Sequence, residues 1–198
     1  MSIDRSARLF NRLSPAYERA FDRQRKQYTR IFQDLPYCNV SNFSSIVDVG
    51  CGNGAMASVF SEMGLKTFAL DLSIGMLSVA KRRIENQNVY FTLGNAAGEL
   101  PFPDKSFDIV MASFMAHGMD EDQRKKLYAE MQRVGKHLAI LHDYNGAESI
   151  LMKLAEVLEG GNYFQFIRQV KNELMEHYGN LEIMNTDKDS CCYICSID

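Results

Sequence analysis

The chain has 198 residues, 46% of them hydrophobic and 24% charged, the proportions of an ordinary globular protein long enough to bury one proper core. Its 22 basic and 25 acidic residues leave a net charge of −3, which argues against a nucleic-acid partner, although a local basic patch can hide in a neutral average. No run approaches the roughly 20 apolar residues of a stable membrane insertion, MSIDRSARLF lacks the apolar core of a secretory signal, and five cysteines without paired spacing read as free thiols in a reducing, cytoplasmic compartment.

The first element is predicted to be a helix opened by Ser14 as cap and Pro15 at the first helical position. Tyr17, Phe21, Tyr28, Phe32 and Leu35 then share one face, and Pro36 closes it. From Ser45 strands and helices alternate. Ile46 to Val49 reads as a strand, Ala55 to Met63 as a helix, Thr67 to Leu70 as a strand ending in Asp71. Ser73 caps a helix with Met76, Leu77, Ala80 and Ile84 on one face, and strands follow at Val89 to Leu93 and Phe107 to Ala112. Asp120, Glu121 and Asp122 open a helix through Val134, and His137 to His142 is the fifth strand. Helical patterns at Ala147 to Leu158 and Tyr163 to Tyr178 precede two strand candidates, Leu181 to Asn185 and Cys191 to Ile197.

Together these predict an α/β chain read as one domain over residues 1–198. It is a Rossmann-like, seven-stranded, mostly parallel sheet with helices on both faces and an antiparallel terminal hairpin. Residues 1–36 form a helical amino-terminal cover not needed to build the sheet, residues 45–144 a ligand-binding core, and residues 145–198 the last helices and edge strands.

The densest chemistry lies in Val47-Asp48-Val49-Gly50-Cys51-Gly52-Asn53-Gly54. Alternate glycines after a strand let the backbone turn tightly and approach a ligand, and the next helix adds free amides. Asp71, 21 residues beyond Gly50 at the tip of the next strand, can accept hydrogen bonds from both hydroxyls of a ribose. The G-x-G-x-G spacing differs from the G-x-G-x-x-G of dinucleotide sites. An acid at Asp48 suits a ligand with an amino group and a sulfonium better than one with two phosphates.

On these residues the chain resembles the class I S-adenosylmethionine (SAM)-dependent methyltransferases, in particular the small-molecule group that includes the ubiquinone/menaquinone-biosynthesis type. VDVGCGNG is similar to the family's first motif, ALDLSIGMLSVAKRR to its second, and GNAAGELPFPDKSFDIV to its third and fourth. SFMAHGM is similar to the segment beneath the methyl donor. The resemblance implies SAM as cofactor, no metal, and contacts from Asp48, Gly50, Cys51, Gly52, Asp71, Leu72, Met76, Asn95, Ala96, Ser113 and Phe114. It also implies in-line methyl transfer to a small-molecule acceptor, with His117 and Tyr17 as candidate bases. Two other readings stay open: a catalytically silent SAM-binding domain and, behind it, an NAD-dependent dehydrogenase. Asn95 stands where the family has Asp, Glu18 also replaces an Asp, and the segment before Leu100 is one residue longer than the usual form. Cys191, Cys192 and Cys195 read as buried strand thiols, because no second ligand pair completes a zinc site. His142 and Asp143 sit at the ligand end of their strand. Acceptor and oligomeric state have no readable code.

Overall fold

The computed structural model describes residues 3–33, 42–146 and 162–197. Seven strands form one sheet: β1 (Ser45–Val49), β2 (Lys66–Asp71), β3 (Tyr90–Leu93), β4 (Phe107–Ser113), β5 (Gly135–Tyr144), β6 (Glu182–Asn185) and β7 (Ser190–Ser196). Their order is β3-β2-β1-β4-β5-β7-β6. Strands β1 to β5 run parallel, and β7 lies antiparallel between β5 and β6. The terminal hairpin therefore inserts its last strand next to the core and leaves β6 at the edge.

The helices are α1 (Ile3–Gln33), α2 (Ala55–Glu62), α3 (Ile74–Arg82), α4 (Glu121–Val134) and α5 (Tyr163–Tyr178). Alternation along each strand sorts the core into two layers. Ile46, Ile109, Met111, Ile140 and Cys192 face Ile31 and Phe32 of α1 and Met56 and Phe60 of α2. Val47, Val110, Ala112, Leu141 and Tyr193 face Leu127 and Met131 of α4 and Phe166 and Val170 of α5. Helices thus cover both faces, as a parallel sheet requires. Arg124, fully buried, joins α4 to α5 through two bonds to Glu173 at 2.9 and 2.6 Å. No described helix is long and apolar enough to cross a membrane.

Ser73 caps α3 by accepting from the Met76 amide, and Asp120 with Gln123 forms a capping box on α4. The amino-terminal helix departs from expectation. It is continuous from Ile3, with Pro15 inside it and Ser14 as no cap at all. Proline removes the amide that would bond the Asn11 carbonyl four residues back. The Ser14 hydroxyl donates to that same carbonyl at 3.0 Å, and the helix runs through the start predicted at Ser14-Pro15. The second half of α1 is core rather than cover: Phe21 is 0% exposed and Phe32 2%. Losing either aromatic side chain costs about 3–5 kcal/mol. Glu18 with Arg82, Asp22 with Arg83 and Arg25 with Glu62 stitch the helix to α2 and α3. The Arg83 guanidinium also sits 4.1 Å above the Phe21 ring. Leu35 and Pro36, and the helix at Ala147 to Leu158, lie outside the described residues.

Candidate active site

The carboxyl ends of β1, β2 and β4 open into a cavity of about 440 Å³. On the β1 side the chain turns through Gly50, Gly52 and Gly54, with φ of 76°, 53° and 79°. A Cβ at Gly50 would lie 2.7 Å from the Met115 sulfur, so packing and backbone both demand glycine there. A Cβ on Gly52 would meet nothing within 4 Å, which leaves the space above that amide open to a ligand.

Asp71 is bound on two sides: its carboxylate accepts from the Gly52 amide at 2.9 Å and the Ser73 amide at 2.7 Å. The glycine turn is thereby fixed to the tip of β2. Burial pushes the Asp71 carboxyl up, and these amides pull it back. Asp48 has less relief. It is 0% exposed, and neither oxygen reaches a partner at full hydrogen-bond geometry among the described residues. Burial first, then repulsion from Asp71, push its carboxyl up to about 8, and only the Ala57 amide pulls it back. An orphaned buried acid on a cavity wall is costly unless a cationic ligand answers it.

SAM fits this wall. Asp48 would face its ammonium, Asp71 its ribose hydroxyls, Leu72 and Met76 its adenine; all four line the cavity. Asn95 lines it too. Its Oδ1 already accepts from the Ala97 amide at 3.0 Å and keeps one lone pair for an amine. Ala97 lines the cavity, whereas Ala96 is buried against Leu70 and Leu100 in the layer behind it.

The opposite wall comes from α1, from the turn after β4 and from the end of β5. Phe114, with φ 48°, closes β4 in a conformation that costs a bulky residue about 1–3 kcal/mol. It aims the following turn, Ala116–Gly118, at the cavity. Asp143, 0% exposed, receives the His117 Nδ1 at 2.8 Å and the amides of Ala116 and His117 at 3.1 and 3.3 Å. The ion-bonded Nδ1 carries the proton in this arrangement, which makes Nε2 the basic nitrogen. The carbonyl of Gly118 is held by Asn162, the residue before α5, at 3.1 Å.

His142 does something else. It is 0% exposed, with Nδ1 3.1 Å from Ser113 Oγ and Nε2 3.0 Å from Thr186 Oγ1. Burial holds its pKa down to about 4, so it ties β4 to the terminal hairpin as a neutral ring. Cys191, Cys192 and Cys195 are buried in β7. Among the described residues no group of three or more His, Cys, Asp or Glu could hold a metal ion.

Sequence reasoning passed over several lining residues. Gln24 and Tyr28 join Tyr17 in the wall, at spacings of seven and four residues along one face of α1. That periodicity was the available signal. Tyr28 is bonded to Ser113, and burial pushes its hydroxyl up to about 12. Asn53, inside the glycine motif, donates to the Tyr17 carbonyl and to Gln24 Oε1, both at 2.7 Å. The glycine loop and α1 are thus one unit. Tyr144 enters because β5 runs two residues beyond its predicted end, whereas Asp143, already read at the ligand end of that strand, lies buried behind the wall.

Residues 46–137 match the family described as a methyltransferase domain. A demethylmenaquinone methyltransferase of Renibacterium salmoninarum is 36% identical over 135 residues, covering 67% of this chain and 55% of that protein. A malonyl-[acyl-carrier protein] O-methyltransferase of Enterobacter lignolyticus is 30% identical, covering 67% and 51%. The chain therefore spans about half the length of these relatives. A SAM-dependent methyltransferase from Aquifex aeolicus shares the fold, with a TM-score of 0.63, 20% identity and coverage of 78% of this chain and 82% of that one. With its strand order, glycine turn and strand-end acid, the chain belongs to the class I SAM-dependent methyltransferases.

Proposed function

We propose that this protein transfers the methyl group of SAM to an uncharged, apolar, ring-bearing small molecule with an ionisable hydroxyl, and that His117 is the base. The observation that carries this is His117, held from behind by the buried Asp143 and lining the same cavity as the orphaned Asp48 and the clamped Asp71. SAM, when bound, supplies an activated methyl on a sulfonium. The protein has to align the acceptor, keep water out and take one proton. In this reading Nε2 of His117 takes the proton of the acceptor hydroxyl, and Asp143 stabilises the imidazolium that forms. Tyr17 is a wall residue rather than a second base; its backbone carbonyl anchors Asn53, and its ring meets Phe10 edge-on at 6.4 Å.

The acceptor class rests on the lining. Leu9, Phe10, Leu13, Met115, Met119 and Tyr144 make the acceptor side apolar, and no described lining residue is Lys or Arg. A carboxylate acceptor, as the malonyl relative's name implies, would find no cation there. A ring of the kind named in the demethylmenaquinone relative finds aromatic and thioether partners. First-half residues of α1 serve as the cover over this side.

The test is formation of S-adenosylhomocysteine from SAM with 1,4-dihydroxynaphthalene, with a carboxylic acid of similar size as comparison. The naphthol is expected to be methylated and the acid not. Tight SAM binding without turnover on any hydroxyl acceptor would leave a silent binding domain, and preference for the acid would overturn the acceptor class.

A further inference from the structure

The outer face of α1 takes no part in the site. Arg5, Arg8, Arg12, Arg19, Arg23, Lys26 and Arg30 are all exposed, at spacings of three, four, seven, four, three and four residues. At about 100° per residue they fall within roughly 60° of arc, a stripe about 38 Å long. Its acidic neighbours point elsewhere: Glu18 and Asp22 are turned to Arg82 and Arg83. Arg5, Arg12, Arg19, Arg23, Lys26 and Arg30 make no ion pair among the described residues.

A merely solvated face mixes its signs. Here like charges stand four apart at Arg8/Arg12, Arg19/Arg23 and Lys26/Arg30, an arrangement that opposes helix formation. The helix carries eight Lys and Arg against three Asp and Glu in a chain whose net charge is −3. Such a concentration selects an extended anionic partner.

Two observations favour a lipid surface over a nucleic acid. The stripe holds no aromatic residue on which a base could stack. Next to it, roughly 60–110° round the helix on the cavity side, stand Leu9 and Leu13. Leu13 is 37% exposed and Leu9 half-buried. A plane that meets the cations therefore also meets an apolar rim at the cavity mouth, the pattern of an interfacial helix.

We propose that α1 lies flat on an anionic lipid surface through this stripe, holding the cavity mouth at the interface without spanning the bilayer. The stripe argument is independent of the acceptor reading; only the placement of the mouth rests on it.

The experiment is co-sedimentation of the full chain with vesicles of phosphatidylcholine, alone or with roughly one-third phosphatidylglycerol. Its partner is the variant Arg19→Gln, Arg23→Gln, Lys26→Gln, Arg30→Gln, whose positions lie outside the cavity lining and keep good helix propensity. The wild type is expected to bind only the anionic vesicles, less at high salt, and the variant to lose at least about tenfold in partitioning. Unchanged SAM affinity and melting temperature show that the variant is folded. No binding, equal binding to neutral vesicles, an undiminished variant, or tighter binding to a labelled RNA at the same ionic strength would each overturn the proposal. Because no acceptor is present, methyl transfer can fail while this result stands, and the reverse.

Discussion

The two walls of the cavity are built in opposite ways. The donor wall is short-range: Asp48 to Gly54 and Asp71 to Met76 are consecutive strand-to-helix turns, closed by backbone amides on one carboxylate. The acceptor wall gathers α1, the turn after β4 and the end of β5, segments more than 20 residues apart in sequence, around side-chain bonds. A wall made of backbone turns tolerates few sequences and leaves a motif. A wall made of packed helices tolerates many and leaves none.

The comparison breaks most severely if α1 is not the framework of the acceptor wall. Deleting residues 1–33 removes Phe21 and Phe32 from the core, and the product is expected to lose its cooperative melting transition. A truncation of 1–33 that still melts sharply by calorimetry would return the whole helix to the role of a detachable cover.

Next in size is the division of labour between walls. His117→Ala is expected to lower kcat by about 10²–10⁴ while SAM affinity by titration calorimetry stays unchanged. Asp143→Asn should follow with a smaller loss and a displaced pH profile, since Asp143 acts through the ring it holds. Asp71→Ala is the mirror experiment. It removes the ribose acceptor and frees the Gly52 amide, weakening SAM binding by about 1.5–3 kcal/mol.

Asp48 gives a pH test of the donor wall. Its carboxyl is raised to about 8 in the fold, from an ordinary aspartate value of 3.8. The folded state therefore binds the extra proton between those values, and stability is lost as pH rises through about 8. A cationic ligand prefers the carboxylate, so SAM binding near neutral pH is expected to release a proton and to tighten as pH approaches 8. Calorimetry in buffers of different ionisation heat reads that proton directly. Asp48→Asn should abolish the release and flatten the loss of stability that the free protein shows as pH rises from 3.8 to about 8.

The smallest effect sharpens the joint between the walls. Asn53→Ala breaks two bonds to α1 and leaves the Tyr17 carbonyl and Gln24 amide without it. A loss of about 1–3 kcal/mol in denaturant unfolding is expected, with a rise in KM for the acceptor larger than that for SAM.

The sequence by itself determined the sheet and its donor edge. Strand alternation, the glycine turn and Asp71 are local features, and positive φ at Gly50, Gly52 and Gly54 admits few residues. His117 was readable for a similar reason: it follows a strand at the ligand edge. The Ser14-Pro15 pair misled because a local cap signal competes with a remedy visible only in the fold, the Ser14 hydroxyl on the Asn11 carbonyl. Tyr28, Asn53 and Asp143 acquire their meaning from partners 26 to 85 residues away. The arginine stripe lay in the sequence as an unremarkable scatter of charge. Only a helix unbroken through Pro15, with Glu18 and Asp22 drawn to Arg82 and Arg83, turns that scatter into one face. Backbone geometry constrains residues next to one another and so is written in motifs; side-chain encounters between distant segments are decided when the helices pack.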